Sequence, residues 1–139
     1  MNLAEYQRKY GIKRIDFADI EPSGLDEQYA DDKLICPYCG SEIEYESEDT
    51  DIILRGTEWQ CVECEKWFYV DADVTVNTTC TPMEDAVRYN RRYIEDAYRH
   101  IDECEKKGME FPDRRYGFVE WETYQKWAKP LFENQERME

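Results

Sequence analysis

The cysteines are the residues of this sequence whose spacing most directly predicts chemistry. Four of the six cysteines form two pairs, each with two residues inside it: Cys36, Cys39, Cys61 and Cys64. A C-x-x-C turn places two sulfurs on the same side of a tight loop, and a structural Zn²⁺ ion is often held by four thiolates in a closed tetrahedron. The 21 residues between the pairs are close to the spacing of known zinc sites. The sequence therefore predicts one structural zinc ion at these cysteines.

The same spacing admits two other interpretations, namely two buried thiol pairs or two disulfides. Disulfides within the C-x-x-C pairs would indicate redox activity. Redox domains, however, carry one such pair beside a βαβ pattern, and this sequence lacks a βαβ pattern. The chain shows no basic and apolar leader and no apolar run of about 18 residues, so we expect a reducing, cytoplasmic setting. In that setting, paired cysteines are more often metal ligands than disulfides.

The remaining two cysteines and the single histidine offer a weaker pattern. His100 and Cys104 are four residues apart and would share one face of a helix. Together with Cys80 they could form a second metal site, but only three ligands are visible. A small buried thiol in an interface is the simpler interpretation of each cysteine.

A row of acidic residues follows the first cysteine pair. The apolar Ile43 and Tyr45 alternate with carboxylates, which is typical of a strand. The acidic residues are Glu42, Glu44, Glu46 and Glu48, continued by Asp49 and Asp51. On a strand, alternate carboxylates would lie about 6.8 Å apart on one face. Such a row could imitate a nucleic-acid backbone and bind a cationic groove; the alternative is a solvated outer face.

Charge limits the partners that this chain can bind. The sequence has 33 acidic and 18 basic residues, a net charge of -15. Residues 36–80 hold eleven acidic residues against only Arg55 and Lys66. Binding to phosphates requires cations that displace counterions, so direct nucleic-acid binding by this region is disfavoured. A basic, nucleic-acid-binding protein is the more natural partner.

No catalytic motif is visible in the sequence. The chain has one histidine, no glycine-rich phosphate loop and no nucleophile elbow. We therefore predict a protein that is not an enzyme. A metal-dependent hydrolase would require an open coordination position at the zinc ion.

The predicted fold is α+β in three segments. Residues 1–32 contain an N-terminal helix at about 3–10 and a linker, with a helical turn from Leu25 to Ala30. Residues 33–80 are rich in β-forming residues and surround both cysteine pairs. Residues 81–139 are predicted to form a helical pair that packs on the preceding segment.

The helical pair is predicted from apolar periodicity and from residues that start and stop helices. Thr81, Pro82 and Glu84 form a capping sequence and Gly108 a stop, so the first helix should cover about 82–107. A second apolar stripe follows Pro112, and Pro130 should kink or restart that helix.

The residues around the cysteines resemble the zinc-ribbon superfamily over about 33–79. The features that match are the two cysteine turns, Gly40 after the first, Trp59 before the second, and the aromatic strand after it. The resemblance implies a three-stranded antiparallel sheet held by the metal. It implies no particular function, because zinc ribbons serve transcription, translation, nucleases and docking alike.

In size, acidity and lack of catalytic residues the whole chain resembles small phage-encoded anti-CRISPR inhibitors of Cas9. That resemblance implies a nucleic-acid mimic that blocks guide-RNA or target-DNA loading, with the six acidic residues between positions 42 and 51 as the contacts. The leading hypothesis is thus a non-catalytic interaction protein that docks on a basic surface. The alternative is a zinc-ribbon regulatory or assembly module of a transcription or translation complex.

Overall fold

A computed structural model describes residues 13–74, 76–108 and 118–138, and within these ranges it contains six strands. The strands are β1 (Gln28–Asp31), β2 (Leu34–Ile35), β3 (Glu42–Ile43), β4 (Thr57–Gln60), β5 (Trp67–Val74) and β6 (Asn77–Pro82). Four of them form an antiparallel sheet in the order β1-β6-β5-β4, and β2 pairs with β3 in a separate antiparallel hairpin. The α+β class is confirmed, although the main sheet has four strands where three were predicted.

The extra strand comes from the segment before the ribbon. Residues 25–30 were predicted to form a helical turn, which is wrong because β1 covers Gln28–Asp31. Its backbone pairs with β6, from Gln28 opposite Cys80 to Asp31 opposite Asn77. Hydrogen bonds to a distant strand outweigh a weak local helical preference. The predicted helix at about 3–10 lies outside the described residues.

The described helices are α1 (Thr50–Arg55), α2 (Met83–Tyr89), α3 (Arg91–Lys106), α4 (Phe118–Thr123) and α5 (Lys129–Met138). Short 3₁₀ turns lie at Phe17–Asp19 and Ser47–Asp49. The helix predicted over 82–107 is divided at Asn90, whose side-chain amide donates to the Ala86 carbonyl at 2.8 Å. Asn90 caps α2, because its side-chain amide and its backbone N–H both donate to this carbonyl near the helix end. None of the described helices is long and apolar enough to cross a membrane.

The C-terminal helical segment changes its winding just before Pro130. A π-helical turn, Tyr124–Ala128, joins α4 to α5, and Pro130 is the second residue of α5. Proline has no N–H to donate to the carbonyl four residues earlier, and a wider turn accommodates that loss. Because α4, the π turn and α5 are consecutive, the helix does not restart at Pro130, and the change of winding lies just before it.

The interpretation of the acidic row as a strand is wrong beyond Ile43. Strand β3 ends there, and the chain then forms the 3₁₀ turn and α1. The Glu46 backbone N–H donates to the Asp49 carboxylate at 3.3 Å, and Ile53 on α1 is buried against the ribbon. Local capping and burial of one isoleucine therefore favour helical turns, and the six carboxylates share no strand face. Five of them are exposed and Asp49 is half-buried.

The main sheet has a hydrophobic cluster on each face. On β5, Phe68 and Val70 face the first cluster, which surrounds the cysteines, while Trp67 and Tyr69 pack on the second, which is mainly helical. The first cluster contains Leu34, Cys36, Ile53, Cys61, Phe68, Val70 and Cys80. The second contains Ile15, Ile20, Met83, Ala86, Val87, Ile94, Trp127, Ala128 and Leu131. The alternation along β5 thus joins the cysteine region to the helices.

Two glycines in left-handed conformations should respond very differently to alanine. Gly40 (φ 77°) has open space where a Cβ would be, whereas a Cβ at Gly56 (φ 85°) would overlap the Tyr69 hydroxyl. Gly40→Ala should lower the free energy of unfolding by about 1 kcal/mol through backbone strain alone. Gly56→Ala should lower it by about 3 kcal/mol, because Tyr69 must also move. Urea denaturation of both variants tests this, and equal losses would contradict it.

Candidate metal centre

The first cysteine pair lies in a tight turn directly after β2. The Cys36 backbone N–H donates to the Ser41 carbonyl at 2.9 Å, and the Gly40 N–H donates to the Cys36 carbonyl at 2.9 Å. Gly40 can adopt the required positive φ because it has no Cβ. The turn thereby directs the Cys36 and Cys39 sulfurs toward the second pair.

The second cysteine pair, directly after β4, repeats the same turn. The Cys61 N–H donates to the Lys66 carbonyl at 3.0 Å, and the Glu65 N–H donates to the Cys61 carbonyl at 2.9 Å. Glu65 occupies the position equivalent to Gly40 and has a φ of 63°. Left-handed backbone is unfavourable for a residue with a side chain, so the surrounding turn holds Glu65 there. The sequence indicated the role of Gly40 but gave no signal for this strained residue.

The two turns bring all four sulfurs together. The sulfur atoms of Cys36, Cys39, Cys61 and Cys64 lie within 4.8 Å of one another. Across the two turns, the Cys36 and Cys64 sulfurs are 3.7 Å apart and the Cys39 and Cys61 sulfurs 3.6 Å apart. Zinc–sulfur bonds of about 2.3 Å in a tetrahedron place sulfurs about 3.8 Å apart. A disulfide requires about 2.05 Å. The cluster therefore fits a single metal ion and not two disulfides, and all four cysteines are free.

The sulfurs differ in their surroundings. Cys36 and Cys61 are buried, Cys64 is half-buried and Cys39 is exposed. Burial raises the pKa of the Cys36 thiol and, to a smaller degree, that of Cys64. At Cys39 the effect of burial is outweighed by hydrogen bonds with Ser41 and with the Cys61 and Cys36 sulfurs, which together lower its pKa to about 6. Metal ions bind the thiolate form, so the lowered pKa of Cys39 favours its binding to a metal ion.

Tyr38 links the first cysteine turn to the helical layer. Its hydroxyl accepts a hydrogen bond from the Met83 backbone N–H at 2.7 Å and donates to the Glu84 carboxylate at 2.8 Å. Met83 is the first residue of α2, so this bond satisfies an N–H that has no partner within the helix. The Lys66 ammonium, from the second turn, lies 4.9 Å from the centre of the Tyr38 ring. Both cysteine turns therefore meet at one residue that holds the start of α2.

Tyr38→Phe should destabilise the protein by about 2 kcal/mol without reducing metal stoichiometry. The change removes only the hydroxyl and leaves the buried Met83 N–H without its acceptor. Tyr93→Phe, at an exposed tyrosine, is the control and should stay within about 0.5 kcal/mol of the parent. Denaturant titration and metal analysis of both variants test this prediction, which fails if they unfold alike.

The structure does not assemble a second metal site from Cys80, His100 and Cys104. In the described part of the chain, the four-cysteine cluster is the only group of three or more candidate ligands within reach of one ion. His100 instead places its Nδ1 2.8 Å from the Glu120 carboxylate. Cys80 is buried on β6 in the cysteine-side cluster, as the simpler interpretation expected.

A second polar contact, missed from the sequence, lies three residues beyond Cys64. The buried Asn134 on α5 accepts from the Trp67 backbone N–H at 2.6 Å and donates to the Trp67 carbonyl at 2.6 Å. Its side-chain amide thus acts like a neighbouring strand at the start of β5, where β6 has already turned into α2. The feature of the sequence that could have indicated this contact is the position of Asn134, three residues after Leu131 and within an apolar stripe.

Comparisons with known proteins do not assign this chain to a family. The chain matches no protein-family model, no curated protein and no solved structure. The likeness to a zinc ribbon therefore rests on the cysteine cluster and the antiparallel strands beside it.

Proposed function

We propose that the chain is a non-catalytic interaction protein in which one zinc ion holds the cysteine turns in place. The observation that carries this proposal is the convergence of four free sulfurs within 4.8 Å. Four thiolates fill the tetrahedral coordination of zinc and leave no position for a substrate, which is typical of structural rather than catalytic sites. Zinc bound there would supply a cross-link and no reaction.

The cross-link has a clear structural purpose. The β2–β3 hairpin has only two residue pairs, and an isolated hairpin of this size is unstable in water. Cys36 follows β2 directly, while Cys61 follows β4 of the main sheet. A metal ion between the two turns would fix the hairpin against the sheet and keep the acidic surface of residues 36–80 in one shape.

The proposed partner is a basic surface of a nucleic-acid-handling protein. The net charge of -15 repels phosphate backbones and attracts cationic protein surfaces. Inhibition of a Cas9-like nuclease is the specific form of this proposal, in which acidic residues occupy the cationic channel for guide RNA or target DNA. The residues 42–51 remain candidate contacts, because Glu42, Glu44, Glu46, Glu48 and Asp51 are exposed. They would act as a cluster around helical turns and not as a strand row.

Fluorescence anisotropy with the labelled, zinc-loaded protein tests this function. The protein is titrated with duplex DNA, single-stranded RNA and Cas9 with and without guide RNA, over a series of salt concentrations. We expect no binding to nucleic acid, and binding to free Cas9 that weakens with salt and with guide RNA. Direct nucleic-acid binding would overturn the proposal. Selective binding to polymerase or ribosomal components would favour the assembly-module alternative instead.

A further inference from the structure

Among the residues that the structure describes, no helix packs on part of one face of the main sheet, where side chains of β1, β5 and β6 are exposed. The strand register places Tyr29 beside Thr79, and Thr79 beside Asp71, on adjacent strands. Further along the strands, Asp31 lies opposite Asn77. Together with Asp73, these residues form a surface that we call the open face: Tyr29, Asp31, Asp71, Asp73, Asn77 and Thr79. Most of this set, with Ala30 and Thr78, lines a groove of about 470 Å³.

The open face is the continuation of a face that the helices cover elsewhere. Tyr69 precedes Asp71 by two residues on β5 and stacks on Trp127 from the helical layer, with ring centres 4.8 Å apart. Beyond Val70 the helices no longer cover this face of β5, and Asp71 and Asp73 are exposed there. Tyr29 has 69% of its surface exposed, and Tyr89 nearby has 77% exposed. Tyr29 is therefore an accessible aromatic ring on this sheet surface, and Tyr89, the last residue of α2, supplies a second exposed ring near it.

The carboxylates on and beside this surface form no ion pairs with other described residues, although Glu27 accepts a hydrogen bond from the Tyr29 hydroxyl at 2.9 Å. Acidic residues elsewhere form ion pairs, such as Glu42 with Lys33 and Asp102 with Arg14. Among the described residues, the carboxylates of Glu27, Asp31, Asp71 and Asp73 form none. Burial raises the pKa of Asp71, and the neighbouring Asp73 and Glu27 raise it further. Mutual repulsion costs stability, and a cationic partner would relieve it.

Exposed tyrosines beside carboxylates suit one kind of ligand group. A guanidinium can form paired hydrogen bonds with a carboxylate and can stack on an aromatic ring at the same time. Tyrosine is also enriched in the centres of protein interfaces, where it contributes a rigid apolar surface with a polar tip. The chemistry of the open face thus matches arginine-bearing protein segments better than phosphate or an apolar ligand.

We infer that the open face is the surface on which this protein binds an arginine-rich segment of its partner. The inference rests on the proposed function, since it takes a basic protein as the partner, and it moves the principal contacts away from residues 42–51. Charge complementarity selects this occupant. A second copy of the chain in a symmetric dimer would place like carboxylates against each other.

Paired neutral substitutions test the location of the binding surface. The variant Asp71→Asn/Asp73→Asn removes two charges from the open face, and Glu46→Gln/Glu48→Gln removes the same number from the acidic turn. Their binding to a fluorescein-labelled octa-arginine peptide is measured by anisotropy, with thermal melts confirming that both variants fold. We expect about a tenfold loss of affinity for the first variant and less than about twofold for the second. Tyr29→Ala, which changes no charge, should weaken binding about fivefold.

Each outcome separates this inference from the function on which it rests. An equal loss for the two double variants would overturn the open face as the site while leaving acidic docking intact. No measurable binding of the peptide to the parent protein would overturn the open face as an arginine-binding surface, whereas the titration with Cas9 tests the proposed function by itself. Concentration-dependent dimerisation that the open-face variant abolishes, seen by analytical ultracentrifugation, would assign the face to a second copy and overturn the inference.

Discussion

Cys61→Ala is expected to abolish stoichiometric zinc binding and to lower the free energy of unfolding by at least about 4 kcal/mol. The Cys61 sulfur is one of the four that converge, and it is fully buried. Loss of one thiolate opens the tetrahedron, and the binding energy of a structural zinc ion, about 10–16 kcal/mol, contributes directly to folding. The β2–β3 hairpin should then separate from the sheet.

Cys80→Ala is the matched control, because Cys80 is equally buried but lies outside the sulfur cluster. It loses the same atoms and should cost only about 1 kcal/mol, with zinc stoichiometry unchanged. Plasma emission spectrometry gives the metal content, and guanidinium denaturation gives the stability. If both variants keep one zinc ion per chain and unfold alike, Cys61 is not a ligand. Chelation of zinc from the parent protein should reproduce the Cys61→Ala stability.

Asn134→Ala is expected to destabilise the protein by about 3 kcal/mol without removing zinc. Asn134 is buried, and its amide makes both a donor and an acceptor contact with the backbone of Trp67 at 2.6 Å. Truncation leaves an N–H and a carbonyl of β5 without partners, and each such buried group costs about 1–3 kcal/mol. Because this contact attaches α5 to the sheet, the helical layer should loosen first.

The variant Asn134→Asp distinguishes lost hydrogen bonds from lost volume. Aspartate has nearly the same shape but cannot donate to the Trp67 carbonyl when ionised, so it should destabilise at least as strongly as alanine. Gln135→Ala, at the exposed neighbour on the same helix, should change stability by less than about 0.5 kcal/mol. Urea denaturation of the three variants provides the measurement. A fully stable Asn134→Asp protein would contradict the assigned donor role.

The four-cysteine cluster could be predicted from the sequence because the information for it is local. A C-x-x-C turn and a following glycine define the geometry of Cys36, Cys39 and Gly40 within a few residues. The conformation of the second turn could not be predicted in this way. Glu65 adopts a glycine-like, left-handed conformation that its residue type does not indicate. The completed turn and the strand that follows hold Glu65 in this conformation. The conformational preference of a single residue type does not show such an effect.

The wrong predictions about the fold share one physical cause: contacts between residues that are distant in the sequence. The alternation of acidic and apolar residues over 42–46 is too short to distinguish a strand from an irregular turn. In the structure, burial of Ile53 stabilises α1 in the segment that follows. Strand β1 exists because β6 supplies its partner 48 residues later, as in the pairing of Ala30 with Thr78. Similarly, Asn134 is buried because the start of β5 requires a hydrogen-bonding partner.

The proposed function requires that the cysteine cluster holds a zinc ion, and native mass spectrometry tests this most directly. We predict one zinc ion per folded chain, and we expect alkylating reagents to modify none of Cys36, Cys39, Cys61 and Cys64 until the metal is removed. A folded chain of metal-free mass that carries two disulfides, or whose four cysteines are alkylated at once, would contradict it.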